Sequence, residues 1–294
     1  LMAEEQGQLV RVLPLAHSKS MVFGNALVSL PFCVYGGVVA VTSEAKAALE
    51  QRACELAESL KVDYLEIRNR QRQREDWPYK SASSTFRKEI DADDDVNLKA
   101  MKRKQRAVIR HSLKNGLQAS DQGAMNSFFD VYSTSVRNLG TPVFPKKYFY
   151  NLKETFGDDC EVLTISEGGK DVSALMSFYH KDEVLPYYGG GMPEARNLKS
   201  MDFMYWDLLC RSVKKQLKTF DFGRSKKDSG PYNYKRHWGF EPQDLFYEFY
   251  LVKADSVPDL SPLNPKYRLF IQMWKKLPLK VSQLLGPFIS KYVG

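Results

Sequence analysis

An internal repeat is the feature that most restricts what this chain can fold into. Leu1–Ala16, LMAEEQGQLVRVLPLA, reads as two strands joined at Gln6 and Gly7. Leu163–Phe178, LTISEGGKDVSALMSF, follows the same pattern at one fixed offset, which sets Val10 opposite Val172, Leu13 opposite Leu175 and Gly7 opposite Gly169. Ser29–Gly37, SLPFCVYGG, then resembles Glu183–Gly190, EVLPYYGG; each is an apolar run with an inner proline that closes on Tyr-Gly-Gly. A helix-length segment comes next in both copies, SEAKAALEQRACELAESLK from Ser43 and LKSMDFMYWDLLCRSVKKQLK from Leu198. In the first, Ser43 suits the N-cap, and Ala47, Leu49, Ala53, Leu56 and Leu60 mark the apolar face. Each helix delivers a strand with a carboxylate among apolar residues, Glu66 in one and Asp221 in the other. Further strands, Ser84–Ile90 and Leu245–Val252, each lead to a basic helical segment. The repeat predicts an α/β chain of two units, each ordered strand–strand–strand–helix–strand–strand. Asp121–Asp159 adds two helices ahead of the second copy. The first copy has no such segment, which predicts either a shorter natural version or on the order of 40 residues missing before Leu1.

Charge and cysteine spacing narrow the chemistry. The 43 basic and 35 acidic residues leave +8 at neutral pH. That excess suits an anionic partner, whether nucleic acid, a phosphorylated substrate or an acidic membrane face, and equally a solubilising surface. No run of about 18 uncharged apolar residues occurs, so no transmembrane helix is expected. Cys33, Cys54, Cys160 and Cys210 are far apart, and the four histidines are as scattered. Metal spacing is absent, so no zinc site is predicted, and the thiols read as buried and free in a reducing compartment. Nucleophile elbow, P-loop, HExxH and dinucleotide-binding motifs are also missing.

Two basic segments invite a partner. Lys99–Leu117 carries Lys102, Arg103, Lys104, Arg106, Arg110 and Lys114 on one predicted helix with Met101, Val108, Ile109 and Leu113 as its apolar side. It is suited to phosphate contacts with RNA or a nucleotide, or simply to a solvated linker. The tail from Pro258 mixes Lys and Arg with Phe270, Ile271, Trp274 and Leu284. It fits either a basic amphipathic contact with a membrane surface or a segment packed back over the second copy.

The chemistry gathers in Thr219–Pro242, TFDFGRSKKDSGPYNYKRHWGFEP. A strand ends there in a carboxylate, a glycine and an arginine, and polar and aromatic residues follow. Asp221 is the candidate to hold or deprotonate an amine, with a structural carboxylate as the competing role. Arg224, Lys226 and Lys235 offer donors to a phosphate or an oxyanion. Tyr232 and Tyr234 offer a phenolic proton or a stacking face, and Trp238 a sugar platform or a core residue. Tyr187, Tyr188 and Gly189 line the neighbouring strand end. Gly189-Gly190-Gly191 precedes a helix as a phosphate cradle does, but no further glycine follows to wrap a diphosphate.

The phrases LPFCVYGG, KRKQRAVIRHSLKNGL, DFGRSKKDSGPYNYKRHWGFEP and the LPL…LLGP tail resemble the Fem-type aminoacyltransferases, a duplicated form of the Gcn5-related N-acetyltransferase fold. They are most similar to the FemAB-related proteins of exosortase and exopolysaccharide loci. The resemblance implies two tandem acetyltransferase-like domains with mixed, mostly antiparallel sheets flanked by helices. It also implies a cytoplasmic enzyme that acylates an amine of a cell-envelope polysaccharide or peptidoglycan-type precursor; the basic tail, where it touches a membrane, would set that enzyme peripherally at the inner membrane. One departure matters. Acetyl-CoA users of this fold carry a glycine-bearing loop before the central helix, where this chain has Pro193–Lys199 without glycine. The acyl donor is therefore expected to be aminoacyl-tRNA or acyl-CoA, with the former favoured. No tightly bound cofactor is expected, and the anionic partner is a glycan-lipid precursor, tRNA or acyl-CoA. The predicted division is 1–118 for a degenerate first domain, 119–257 for the active second domain and 258–294 for the tail. The competing reading is a non-catalytic RNA- or membrane-surface-binding protein on a decayed acyltransferase scaffold.

Overall fold

The computed structural model describes residues 1–5, 8–20, 24–122, 124–257 and 265–291. In chain order the elements are β1 (Met2–Glu5), β2 (Gln8–Val12), β3 (Leu15–Ser20), β4 (Gly24–Ser29), β5 (Val39–Ala40), α1 (Ser43–Ser59), β6 (Tyr64–Asn69), β7 (Tyr79–Lys80), β8 (Ser83–Thr85) and β9 (Arg87–Glu89). Then come α2 (Asp94–Ala100), α3 (Arg103–Ser112), β10 (Gln118–Ser120), α4 (Met125–Leu139), α5 (Lys146–Phe156), β11 (Cys160–Glu167), β12 (Lys170–His180) and β13 (Glu183–Gly191). The rest is α6 (Ala195–Leu198), α7 (Ser200–Lys214), β14 (Thr219–Asp221), β15 (Ser225–Lys226), α8 (Gly230–His237), β16 (Gln243–Asp244), β17 (Phe246–Leu251), α9 (Pro265–Trp274) and α10 (Leu279–Ser290).

These form two compact units, Leu1–Ser84 with Gln243–Asn264 and Lys291–Gly294, and Thr85–Pro242 with Pro265–Ser290. The first holds a sheet ordered β3-β4-β6-β17-β7. Helix α1 turns Leu49, Ala53 and Ala57 toward Leu27, Leu65 and Ile67, and the small alanines let it lie close to the strands. Its cap is Thr42, one residue before the expected Ser43; Thr42 Oγ1 accepts from Ala45 N–H at 3.2 Å. Strands β1 and β2 pair antiparallel as the sequence predicts, while the turn residues Gln6 and Gly7 lie outside the described residues.

The second unit holds a six-stranded sheet ordered β10-β11-β12-β13-β14-β9. One face packs against α4 and α5 through Phe128, Phe149, Val162, Met176 and Tyr188. The other packs against α3 and α7 through Ile109, Leu163, Leu175, Met204 and Leu208. The predicted Lys99–Leu117 helix is broken at Met101 and Lys102, and the acidic run ahead of it serves α2. Asp93 caps that helix by accepting from Asp95 N–H at 2.7 Å, and Asp94 and Asp95 occupy its first turn, where the helix dipole favours negative charge.

The last strand of each copy completes the other copy's sheet. Strand β9 pairs with β14, Asp221 opposite Arg87, and β17 pairs with β6, Phe246 opposite Asn69. The expected boundaries 1–118, 119–257 and 258–294 therefore do not coincide with the units. Both β6 and β14 need a neighbour to satisfy an open edge, and two copies of one pattern can exchange that neighbour without loss.

Candidate functional site

The candidate site of the second unit begins where two parallel strands part. β13 and β14 pair only at Glu183 with Thr219 and Val184 with Phe220. β13 then runs on to Gly191, held by β12 alone, while β14 ends at Asp221 and turns at Gly223, whose φ of +66° favours glycine. The result is a wedge with one wall of β13 backbone lacking a strand partner among the described residues. Within that wall the register shifts between Met176 opposite Tyr188 and Ser177 opposite Pro186, which makes Tyr187 the extra residue of a β-bulge. A bulge re-aims the side chains around it. Here it sends Tyr187 and Tyr188 to the same α4–α5 face, with rings 4.8 Å apart. Tyr188 is buried and shares a 2.9 Å hydrogen bond with the Tyr148 hydroxyl, and burial pushes its phenol well above the usual range.

At the narrow end, one guanidinium ties the strands together. Arg87 Nη1 donates to Asp221 Oδ2 at 2.7 Å and to Glu183 Oε2 at 2.9 Å, and its other nitrogen pairs with Glu183 Oε1. The second Asp221 oxygen accepts from Gly223 N–H at 2.8 Å and from Thr85 Oγ1 at 3.4 Å. Asp221 is only 1% exposed. Both its oxygens are committed to the turn and the strands, so this geometry gives it the structural role over that of a base for an incoming amine.

The Gly223 turn is clasped from α8. Lys235 Nζ donates to the carbonyls of Phe222 at 2.7 Å, Gly223 at 3.0 Å and Arg224 at 3.1 Å. Three acceptors match the three protons of an ammonium. Burial draws the pKa of Lys235 down to about 7, with Asp221 opposing and Arg224 adding to the shift. Lys235 is thus spent on the backbone and not turned outward to a phosphate. Trp238 is 1% exposed and packs against Phe222 and Tyr205, a core residue and not a sugar platform. Tyr234 donates its hydroxyl to Asp202 Oδ1 at 3.0 Å. Tyr232 stands edge-on to Phe86 at 5.2 Å and remains half-exposed, and the side chains of Arg224 and Lys226 are exposed beside the turn.

At the end of β13 and the start of α7 lies a cavity of about 370 Å³ lined by Ser135, Gly191, Met192, Ala195, Arg196, Lys199, Met201 and Asp202. The three glycines before it serve packing. A Cβ on Gly189 would lie 3.1 Å from the Tyr205 hydroxyl, one on Gly190 2.7 Å from Ser135 Cβ, and one on Gly191 2.7 Å from Ala195 Cβ. The loop after them is folded on itself. Ala195 N–H donates to Met192 O, and Asn197 and Leu198 N–H both reach Glu194 O. Those amides are not available to wrap a pyrophosphate. Asp202 is held by Tyr234 and by Gln105 Nε2 at 2.7 Å, which leaves Arg196 and Lys199 as the basic groups of the cavity.

The structure thus gathers Asp221, Arg224, Lys226, Tyr232 and Lys235 at the narrow end of the wedge. It puts Tyr187, Tyr188 and Gly189 along β13 and sends Tyr234 and Trp238 into the core. Arg87, Glu183, Arg196 and Lys199 were not singled out as site residues by sequence. Arg87 lies 96 and 134 positions from its two partners, so no local pattern announces it. Arg196 and Lys199 lie in the loop noted only for lacking glycine.

The corresponding place in the first unit is closed. β4 and β6 pair from Ala26 with Tyr64 to Val28 with Glu66. Beyond them Arg68 N–H donates to Ser29 Oγ at 2.9 Å, Gly36 N–H to Arg68 O at 3.0 Å, and Arg68 Nη1 to Cys33 O at 2.9 Å. The segment from residue 30 to 37 fills the gap.

Residues 99–236 match the sequence model of the acetyltransferase (GNAT) domain. The fold is a tandem of GNAT-like domains. It is shared with FemX, at 16% identity and a TM-score of 0.62 over 92% of this chain and 89% of that one. It is shared also with L-PGS from Bacillus licheniformis, at 12% identity and a TM-score of 0.57 over 90% and 86%. At such identities the likeness is one of fold. No curated protein matches the chain by sequence.

Proposed function

We propose that this chain is an N-acyltransferase of the Fem type. Its second unit would move an acyl or aminoacyl group to an amine of a cell-envelope polysaccharide or peptidoglycan-type precursor. The shared phrases favour the FemAB-related proteins of exopolysaccharide loci as its subgroup. The observation that carries the reading is the parting of β13 from β14, with Arg196 and Lys199 in the cavity at the end of β13. An extended donor arm laid along β13 pairs with its open backbone groups as an added strand does. The anionic part of the donor then meets the two basic side chains. The amine nitrogen bonds to the donor carbonyl carbon, the bond to the leaving oxygen or sulfur breaks, and the nitrogen gives up a proton. Tyr232, half-exposed beside the turn, is the candidate to protonate the leaving group, and Arg224 and Lys226 to hold phosphate.

The self-bonded loop 193–199 favours aminoacyl-tRNA over acyl-CoA as donor. Binding of charged tRNA and of acetyl-CoA, followed by transfer of a labelled acyl group to envelope precursors, tests both points. Charged tRNA is expected to bind and donate, and Arg196→Glu with Lys199→Glu to weaken binding roughly tenfold or more with the fold intact. Binding of acetyl-CoA alone would overturn the donor assignment. Unchanged affinity in the double variant would overturn the cavity as the donor site.

A further inference from the structure

Helix α10 is built inside out. Ser282, Gly286 and Ser290, four residues apart, are its buried side. Val281, Leu284, Leu285 and Phe288, spaced as one helical stripe, are exposed, Leu284 at 68% and Phe288 at 66%. A helix packed on a water-soluble domain ordinarily does the reverse. The inner side fixes this orientation. A Cβ on Gly286 would stand 2.6 Å from the Val143 carbonyl oxygen, so no larger residue fits there. Gln283 Nε2 donates to Ser133 Oγ of α4 at 2.8 Å, and Arg137 Nη1 of α4 donates to Leu277 O at 3.1 Å. The preceding α9 behaves similarly. It buries Trp274 and exposes Leu269 at 65% and Met273 at 62%, one turn apart.

Charge selects the occupant of this face. From Pro265 to Ser290 the charged residues are Lys266, Arg268, Lys275, Lys276 and Lys280, with no carboxylate among them. Arg268, Lys275, Lys276 and Lys280 are exposed. A second copy of the chain would bring the same uncompensated cations against them. Among the described residues no helix is long and apolar enough to cross a bilayer. We propose that the α9–α10 face docks the protein on an anionic membrane surface, with the Leu284–Phe288 stripe entering the headgroup boundary and the lysines meeting anionic headgroups. An enzyme held there works where lipid-linked substrates lie.

Co-sedimentation of the full chain with vesicles tests the proposal. The vesicles are phosphatidylglycerol and phosphatidylcholine in equal parts, or phosphatidylcholine alone, at low and high salt. The protein is expected to pellet with the anionic vesicles and to be released by salt. Leu284→Asn with Phe288→Asn should abolish pelleting. Lys275→Gln with Lys276→Gln and Lys280→Gln should weaken it roughly ten- to hundredfold at low salt. All five positions are exposed, so thermal melts should stay at the parent value. Wild-type protein left in the supernatant, or both variant sets pelleting like the parent, would overturn the proposal. So would light scattering that shows a dimer dissolved by Leu284→Asn with Phe288→Asn without any vesicle binding, which would make the face a self-association surface.

Discussion

Arg87 Nη1 donates to Asp221 Oδ2 at 2.7 Å, and through Glu183 the same guanidinium holds β9, β13 and β14 at the point where the wedge opens. The pair is largely withdrawn from water, with side chains 14% and 2% exposed. Removing one charge from such a pair leaves the other buried and uncompensated, at a cost of about 3–5 kcal/mol. Asp221→Asn is therefore expected to lower the urea midpoint sharply, and Arg87→Met to do the same. A variant Asp221→Asn with the parent midpoint and no transfer activity would return Asp221 to the chemistry.

Gly190 and Gly230 should respond unequally to a methyl group. At Gly190 the new Cβ meets Ser135 Cβ at 2.7 Å and Tyr132 Cα at 3.3 Å, so α4 must move off β13. Overpacking of that kind costs about 1–3 kcal/mol. At Gly230, the first residue of α8, nothing outside its chain neighbours lies within 4 Å, so the new Cβ has only the Pro231 ring to avoid. Thermal melts of Gly190→Ala and Gly230→Ala check the contrast, with Gly230→Ala expected close to the parent and Gly190→Ala well below it.

The repeat made most of the architecture legible, because strand and helix periods and the Tyr-Gly-Gly strand ends are local patterns. Strand exchange was not legible. Leu245–Val252 and Ser84–Ile90 carry the same alternation whichever sheet they join, so pattern alone assigned each to its own copy. The site was legible as a region more than as roles. Lys235 and Trp238 look functional in a dense polar and aromatic run, but one is consumed by three carbonyls and the other by the core. Nothing in DFGRS tells that Asp221 meets an arginine 134 positions away.

Glu50 of α1 sets a pH dependence for the first unit. It is 4% exposed, with Lys46 Nζ at 4.0 Å and Arg74 Nη1 at 3.7 Å, and its Oε1 has no hydrogen-bond partner. Burial raises its pKa above the ordinary 4.5; Lys46 and Arg74 oppose the rise and Glu248 adds to it. A carboxyl with a raised folded-state pKa contributes stability below its unfolded value and loses it as pH rises through the folded value. Glu50→Gln keeps the uncharged form at every pH. Its melting temperature is expected to gain on the parent as pH climbs above 4.5 and to show no gain below it. A constant difference across the range would assign the effect to packing.

Lys235 offers the sharpest separation between a clasp and a substrate contact. Its ammonium joins the carbonyls of three successive residues, Phe222 to Arg224, across the turn that ends the wedge. Lys235→Met retains the aliphatic stem and removes the donors, which leaves those carbonyls short of partners and costs about 2–3 kcal/mol. Lys235→Arg keeps the charge, but a planar fork cannot converge on three carbonyls as a tetrahedral ammonium does, so only part of the loss should return. Amide exchange at Gly223–Lys226 is expected to quicken in Lys235→Met ahead of global unfolding, since the turn loses its tie to α8 before the sheet loses its core. If exchange there keeps the parent rate while substrate affinity falls, Lys235 is a binding residue after all, and the turn is held by Asp221 alone.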